Sequence, residues 1–298
     1  MTFDKPRILV TGATGKVGTA LVRYLRAEPG LEIVAGVRSP HRAAGLGVAT
    51  AHLDFDRPET LAPAMEGVDR VFMMTAYTVD MFRQSKDFVN AARRAGVKHI
   101  VHLGACGDDD TRVAHWGWQQ FVERYIEWAG FSFTHLRPDI FMQNLLGYGG
   151  SRPVSEGLVR HYVGDARISW VDCDDVAAVA ALCLKQPEPH AGKTYRLASD
   201  VKTFHEVAGT LSQVVGKPFA YEPRPAREFI DKVTAAGADP AYMYSAYENY
   251  AEYSAGKTPE PGAPFGVLAG LLGRRGTTWA EFAARHRAEF DYQVRHQA

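Results

Sequence analysis

The chain has 298 residues, 46% hydrophobic and 23% charged, which supplies enough apolar material for a sizeable core and excludes a disordered class. Lysine plus arginine and aspartate plus glutamate each number 34, so the formal charge is zero and neither nucleic acid nor an anionic membrane is expected as a partner. Three cysteines without metal-type spacing, a Met1-Thr2-Phe3-Asp4 start unlike a signal peptide, and no apolar run near the ~20 residues of a membrane span together predict a cytoplasmic protein.

Arg7 to Val10 reads as a buried strand running into Thr11-Gly12-Ala13-Thr14-Gly15-Lys16-Val17-Gly18. Gly12 suits a tight strand-to-helix turn and Gly15 lets backbone approach a pyrophosphate. Gly18 lets the helix Thr19–Arg26 pack close on the strand. That helix start offers N–H groups and partial positive charge to a phosphate. Lys16 is followed by Val17 rather than Ser or Thr, which argues against a mononucleotide loop and for a dinucleotide fingerprint involving Gly12, Thr14, Gly15, Lys16 and Val17. After the turn residues Pro29-Gly30, a second strand, Leu31–Val37, completes a βαβ unit and ends in Arg38. An acidic residue there would bind the ribose 2′-hydroxyl of NAD, whereas arginine pairs with the 2′-phosphate of NADP, so NADP(H) is the predicted cofactor.

The alternation continues through Ala49–Leu53, a helix around Pro58–Met65, strand Arg70–Thr75, helix Met81–Ala95, strand His99–Leu103, helix Trp116–Ala129 and strand Ser132–Leu136. Gly67, Gly96 and Gly130 stand where helices should stop. This pattern predicts an α/β fold, a doubly wound parallel Rossmann sheet, over residues 1–150. The ligand crevice lies at the carboxyl ends of its strands. Loop residues there are the site candidates: Asp54 and Phe55, Thr75-Ala76-Tyr77, Gly104-Ala105-Cys106, and Arg137-Pro138-Asp139-Ile140-Phe141.

Residues 151–298 form a smaller, mainly helical lobe that covers the substrate, with segments near 165–200 returning to the Rossmann core. Trp170–Lys185 reads as a helix with an acidic start at Asp172, Asp174 and Asp175, and Lys193–Leu197 as a strand. Tyr242, Tyr244, Tyr247, Tyr250 and Tyr253 make an aromatic series that either lines a pocket for a planar substrate or packs in a core or lid.

These residues carry a resemblance: the chain resembles the NmrA-like group of atypical short-chain dehydrogenases/reductases over nearly its whole length. The carriers are Thr11–Gly18, the segment from Thr75 to Met81, Gly96–Val101, and Leu136-Arg137-Pro138 leading to Phe141-Met142-Gln143-Asn144. Trp170–Ala177 and the tail from Thr278 to Phe282 through His286 belong to the same likeness. The group includes NADP(H)-dependent quinone and dye reductases and redox-sensing regulators. The resemblance implies cofactor contacts from the glycine loop, Arg38, Asp54, the Thr75–Tyr77 loop and the Pro138–Phe141 turn.

Catalytic residues transfer poorly. Better-known relatives pair Tyr and Lys as Tyr-x-x-x-Lys, with a Ser, so that the phenol donates a proton. No such pair lies on the helix after the fifth strand; Gly104 stands where the NmrA-like pattern often has Ser, and Gln119 where it often has His or Lys. That helix instead carries His115, Gln119 and Glu123, spaced by four and therefore on one face. His115, with an ordinary pKa of about 6.5, is a candidate proton donor tuned near neutrality, or else a cap or solvated residue. Gln119 offers donor and acceptor to a substrate oxygen, and Glu123 orients Gln119 or caps a neighbour. His99 and His102 are three apart on a strand, so they face opposite sides, and no metal site is expected. Asp108-Asp109-Asp110 reads as a solvated loop and Cys106 as a small filler.

Two functions are consistent with these features. One is an NADPH-dependent oxidoreductase that transfers hydride to a small aromatic or conjugated acceptor such as a quinone, enone, imine or ketone, needing no strong acid because conjugation stabilises the reduced product. The other is a non-catalytic NADP(H) sensor acting on a partner protein. A homodimer stays open.

Overall fold

The structure, a computed structural model, describes residues 5–147, 153–257 and 265–293. Met1 to Asp4, on which the reading of no leader rests, lie outside the described residues. In chain order the elements begin with β1 (Arg7–Thr11), α1 (Lys16–Arg26), β2 (Glu32–Val37), β3 (Ala49–His52), α2 (Leu61–Ala64), β4 (Arg70–Met73), α3 (Met81–Ala95), β5 (His99–Leu103), α4 (Ala114–Trp128) and β6 (Ser132–Pro138). There follow β7 (Ile140–Phe141), β8 (Val154–Ser155), β9 (Leu158–His161), β10 (Ile168–Val171), α5 (Cys173–Lys185), α6 (Pro187–His190), β11 (Lys193–Leu197) and β12 (Asp200–Lys202). The last are α7 (Phe204–Val215), β13 (Ala220–Pro223), α8 (Ala226–Ala235), α9 (Pro240–Ser254), α10 (Phe265–Leu272), α11 (Trp279–Arg285) and α12 (Arg287–Phe290). The chain divides into two compact units, Met1–Pro138 with Cys173–Arg196, and Asp139–Asp172 with Leu197–Ala298.

The first unit is built on a seven-stranded sheet of order β11-β6-β5-β4-β1-β2-β3, parallel from β3 through β6. Strand order reverses between β1 and β4, which opens a crevice at their carboxyl ends. Ile8, Leu9 and Val10 are fully buried, as befits a strand covered on both faces. Val17, Leu21, Val22 and Leu25 recur at helical spacing and bury one side of α1. Helix α1 packs on α5, where Tyr24 Oη donates to Asp174 Oδ2 at 2.7 Å and Arg23 pairs with the same carboxylate. Gly96, at φ 79°, ends α3 in the left-handed conformation expected of a helix stop.

The second unit holds two three-stranded sheets, β12-β10-β7 and β13-β9-β8, with α7 and the helices that follow. Its core is aromatic: the Trp170 and Trp279 rings meet at 5.0 Å nearly perpendicular, and Phe204 lies 5.3 Å from Trp170. Helices α7 and α11 each start on a reciprocal cap, Thr203 with Glu206 and Thr278 with Glu281. One expectation fails here. Trp170 and Val171 are not the start of a helix but the end of β10, which pairs with β7 and β12; α5 begins only at Cys173. Both residues are fully buried within a sheet, which the acidic run just after them concealed. Among the described residues, no helix is long and apolar enough to cross a membrane.

Candidate active site

The turn from β1 to α1 is shaped by what a side chain would strike. Gly12 sits at φ 62°, and a Cβ there would lie 2.4 Å from Met74 Sδ. A Cβ on Gly18 would lie 2.1 Å from the Gly12 carbonyl oxygen, a clash with backbone that cannot move aside. Gly12 O accepts from Gly15 N–H at 2.9 Å, which closes the turn. Gly15 is the N-cap of α1, no side chain caps it, and the first turn carries no acidic residue. Thr14, Gly15 and Lys16 are exposed while Val17 is buried. Bare backbone at a helix start, kept open by glycine, fits the pyrophosphate of a dinucleotide.

Arg38 follows β2 directly and is exposed, with Ser39 and a 3-10 turn, Pro40–Leu46, after it. Asp54 begins the loop after β3, where its Oδ1 accepts from the Asp56 N–H at 3.0 Å. Phe55 stacks on Phe88 of α3, 5.1 Å between centroids. After β4 come Thr75, Ala76 and Tyr77, the last half exposed. After β5 come Gly104 and Ala105; Gly104 N–H donates to Leu136 O at 2.9 Å. Pro138 ends β6 and is buried. Phe141 belongs to the second unit, on β7 in register with Val171.

On α4 the expected row forms, but its members do different work. His115 is half buried, and burial pushes it down to about 4, so it is neutral near pH 7 rather than tuned toward neutrality. Gln119 is 7% exposed and donates from Nε2 to Thr75 Oγ1 at 3.3 Å, joining α4 to the loop after β4. Glu123, fully buried, accepts from Arg137 Nη2 at 2.6 Å and from Nε at 3.0 and 3.2 Å. It therefore neither orients Gln119 nor acts as a cap. Burial raises its pKa against the opposing pull of Arg137, whose guanidinium also donates to Gly107 O at 3.0 Å and to Asp109 at 3.2 Å. Asp109 thus ends a buried charge chain, in addition to its place in the loop.

Two residues without an assigned role from the sequence lie beneath this row. His102 and His135 are register partners on β5 and β6, both fully buried, their rings perpendicular at 5.7 Å. His99 does face the other way, with Nδ1 2.8 Å from Ser132 Oγ. Donor-type atoms of His102, Glu123 and His135 lie within 4.8 Å of one another, so a common centre is up to about 2.8 Å from each, against ~2.0–2.2 Å for zinc ligands. Arg137 also covers both Glu123 oxygens, so the cluster suits hydrogen bonding better than an ion. Sequence spacing had no access to this grouping, because it depends on the register between strands 33 residues apart in their histidines.

In the second unit the tyrosine series divides. Tyr242 and Tyr253 are buried, and Tyr250 packs with Phe229 and His161 at 4.9 Å each. Only Tyr244 and Tyr247 line an open cavity of about 540 Å³, together with Arg227, Ile230, Asp231, Thr234 and Ala235.

Comparison with known proteins accords with this arrangement. The NmrA-like family matches residues 4–268. An NAD(P)H azoreductase of Xenophilus azovorans is 33% identical, covering 95% of this chain and 99% of that protein. The triphenylmethane reductase of Citrobacter sp. complexed with NADP(H) superposes with a TM-score of 0.78 at 29% identity, over 93% of this chain and 99% of that one. The NADPH-dependent quinone oxidoreductase of Escherichia coli complexed with NADPH gives 0.78 at 26% identity, with the same coverage. The match across the glycine turn, the sheet and the second unit shows that this chain is a member of the NmrA-like family.

Proposed function

We propose that this protein is an NADPH-dependent reductase that passes hydride to a small aromatic or conjugated acceptor, of the quinone, azo or triphenylmethane dye kind on which its relatives are named. The observation that carries the reading is the glycine-shaped turn at α1, open at its N-terminus, followed by Arg38 at the end of β2. Gly12, Thr14, Gly15, Lys16 and Val17 would hold the pyrophosphate, Arg38 the 2′-phosphate, and Asp54 and Phe55 the adenosine side. Thr75, Ala76, Tyr77, Gly104, Ala105, Pro138 and Phe141 complete the cofactor contacts. NADPH, when bound, supplies the hydride.

The chain's own contribution is placement and polarisation. Hydride brings two electrons and one hydrogen: on a neutral quinone, enone or azo acceptor it leaves negative charge on an oxygen or nitrogen that then takes one proton, whereas on a cationic triphenylmethane dye it gives the neutral product with no proton taken up. The Gln119 amide, in the lining of the crevice beside Thr75, offers N–H groups to that charge. His115, neutral, can donate a ring N–H. No Tyr-x-x-x-Lys pair is needed for a product stabilised by conjugation. The second unit serves as the substrate lobe.

Purified protein should oxidise NADPH saturably with menadione or methyl red, more slowly with NADH, and not at all in Gly15→Trp. Tight NADPH binding without turnover on quinones, dyes, enones, imines and aromatic ketones would instead make it an NADP(H) sensor. The buried cysteines, with Cys183 pushed up to about 12 by burial, suit a reducing cytoplasm. A homodimer formed through α4 fits its outer face, where Phe121 and Trp128 are 67% and 74% exposed. Trp118, Phe121, Tyr125 and Trp128 follow the 3-4-3 spacing of a helix-pairing seam, and a two-fold axis would bury the same patch on both copies.

A further inference from the structure

We infer that His102 is a positioning residue for Gln119: its ring N–H donates to Gln119 Oε1 and so fixes the carboxamide with its donor end toward Thr75 and the acceptor. The inference rests on the reductase reading and assigns His102 a role within that same site.

Complementary buried groups point to this pairing. His102 is fully buried on β5, and neither of its ring nitrogens has a hydrogen-bond partner. Gln119 Oε1, also buried, has none either, although Nε2 of the same amide reaches Thr75 Oγ1. Such orphans each carry a desolvation cost, so two complementary ones within reach are expected to satisfy each other. Of the side-chain oxygens beside Gly104, those of Glu123 are both held by Arg137, whereas Gln119 Oε1 has no donor; His135, whose nitrogens are also without a partner, stands perpendicular to His102 at 5.7 Å with Nε2 3.3 Å from Glu127 Oε1. Burial pushes the His102 imidazole down to about 4, and the Gln119 side chain works against that shift. An imidazole that is neutral at pH 7 has one N–H to give, and Oε1 can only accept.

Gly104 makes room for this pair. A Cβ at that position would lie 3.3 Å from His102 Cε1, 3.6 Å from Gln119 Cβ and 3.2 Å from Glu123 Oε1. The bare residue after β5 therefore covers His102, Gln119 and Glu123 at the crevice end of the strand. A carboxamide without a partner for its oxygen can turn over, which would present an acceptor where the developing anion needs a donor. His102 removes that choice.

The test compares His102→Phe, which keeps the ring and removes the donor, with His102→Asn and His102→Gln, which return an N–H at the reach of either ring nitrogen. With menadione, His102→Phe should lower kcat about tenfold, the loss of one neutral hydrogen bond, with KM and NADPH affinity within twofold of wild type. One of the two amide variants should recover most of that loss. In a Gln119→Leu background, His102→Phe should have no further effect. A separate readout needs no turnover: the Gln119 side-chain amide protons, followed by NMR in the protein alone, should exchange slowly in wild type and at least tenfold faster in His102→Phe. Unchanged amide exchange, additive losses in the double variant, or failure of both amide variants with falling NADPH affinity would overturn the inference. Absence of turnover in wild type would sink the reductase reading instead, while amide exchange would still decide whether His102 holds Gln119.

Discussion

At the turn between β1 and α1 the groups proposed to meet the cofactor are backbone N–H groups, and the side chains that matter are those glycine lacks. Along α4 the relation is reversed. There the backbone is an ordinary helix, and the proposed chemistry turns on where the Gln119 amide points, which its bond to Thr75 and, on our inference, His102 would set. In the first region a Cβ on Gly12 would meet Met74 Sδ from a left-handed backbone, and one on Gly18 would meet the Gly12 carbonyl. The second carries Gly104 and Gln119 where the family resemblance implies Ser and His or Lys, and its fold requirement is met by buried partners such as Glu123 and Arg137. On the proposed function, binding is thus built into the path of the chain and reactivity into a side-chain network.

Gly18→Val strikes this contrast at its strongest point. It should abolish NADPH binding and leave little folded protein, since the added atoms start 2.1 Å from Gly12 O; a variant with normal melting temperature would show that the turn can relax. On the α4 side, Arg137→Met should destabilise by about 3–5 kcal/mol in urea unfolding by stranding the Glu123 carboxylate, and adding Glu123→Met should restore much of it. Equal stability of the single and double variants would mean that the pair does not act as a unit.

A pH titration probes the buried histidines of the first unit. His99, His102 and His115 are held near 4 by burial, below the ordinary 6.5, so the unfolded chain binds more protons between those values. Stability is then fully present above about pH 6.5 and is lost as pH falls toward 4, a tenfold difference in proton affinity between the folded and unfolded chain being worth about 1.4 kcal/mol. A melting temperature flat from pH 7 to 4.5 would contradict the burial of these rings. Arg38→Ala should weaken NADPH binding about tenfold or more and leave NADH binding unchanged, read by calorimetric titration, as expected for a charge-assisted contact of about 1.5–3 kcal/mol. Smallest in effect on chemistry, Trp128→Glu should abolish the proposed α4 dimer in light scattering with kcat unchanged.

The two regions also differ in how far they can be read from residues alone. Gly12, Gly15 and Gly18 announce the turn because their reason is local, and α3 and β5 keep their expected limits because Gly96 and the apolar run at Ile100 and Val101 are local signals too. The pairing of His102 with His135, and of Glu123 with Arg137, depends on strand register and helix placement, which no short-range spacing encodes. Trp170 is concealed for a related reason: a two-residue continuation of a buried strand, abutting Asp172, Asp174 and Asp175, looks like the capped start of a helix. In the tyrosine series, five like residues serve at least two purposes, since helical phase, not composition, separates buried Tyr242 and Tyr253 from Tyr244 at the cavity.

Direct hydride delivery to a conjugated acceptor is tested most directly by following deuterium from NADPH labelled at the transferring carbon into the colourless product of crystal violet, whose new C–H bond does not exchange with water. One deuterium should appear at the central carbon with wild-type protein in ordinary water, and none from heavy water with unlabelled NADPH. Label arriving from solvent, or no product despite saturating NADPH, would refute direct transfer.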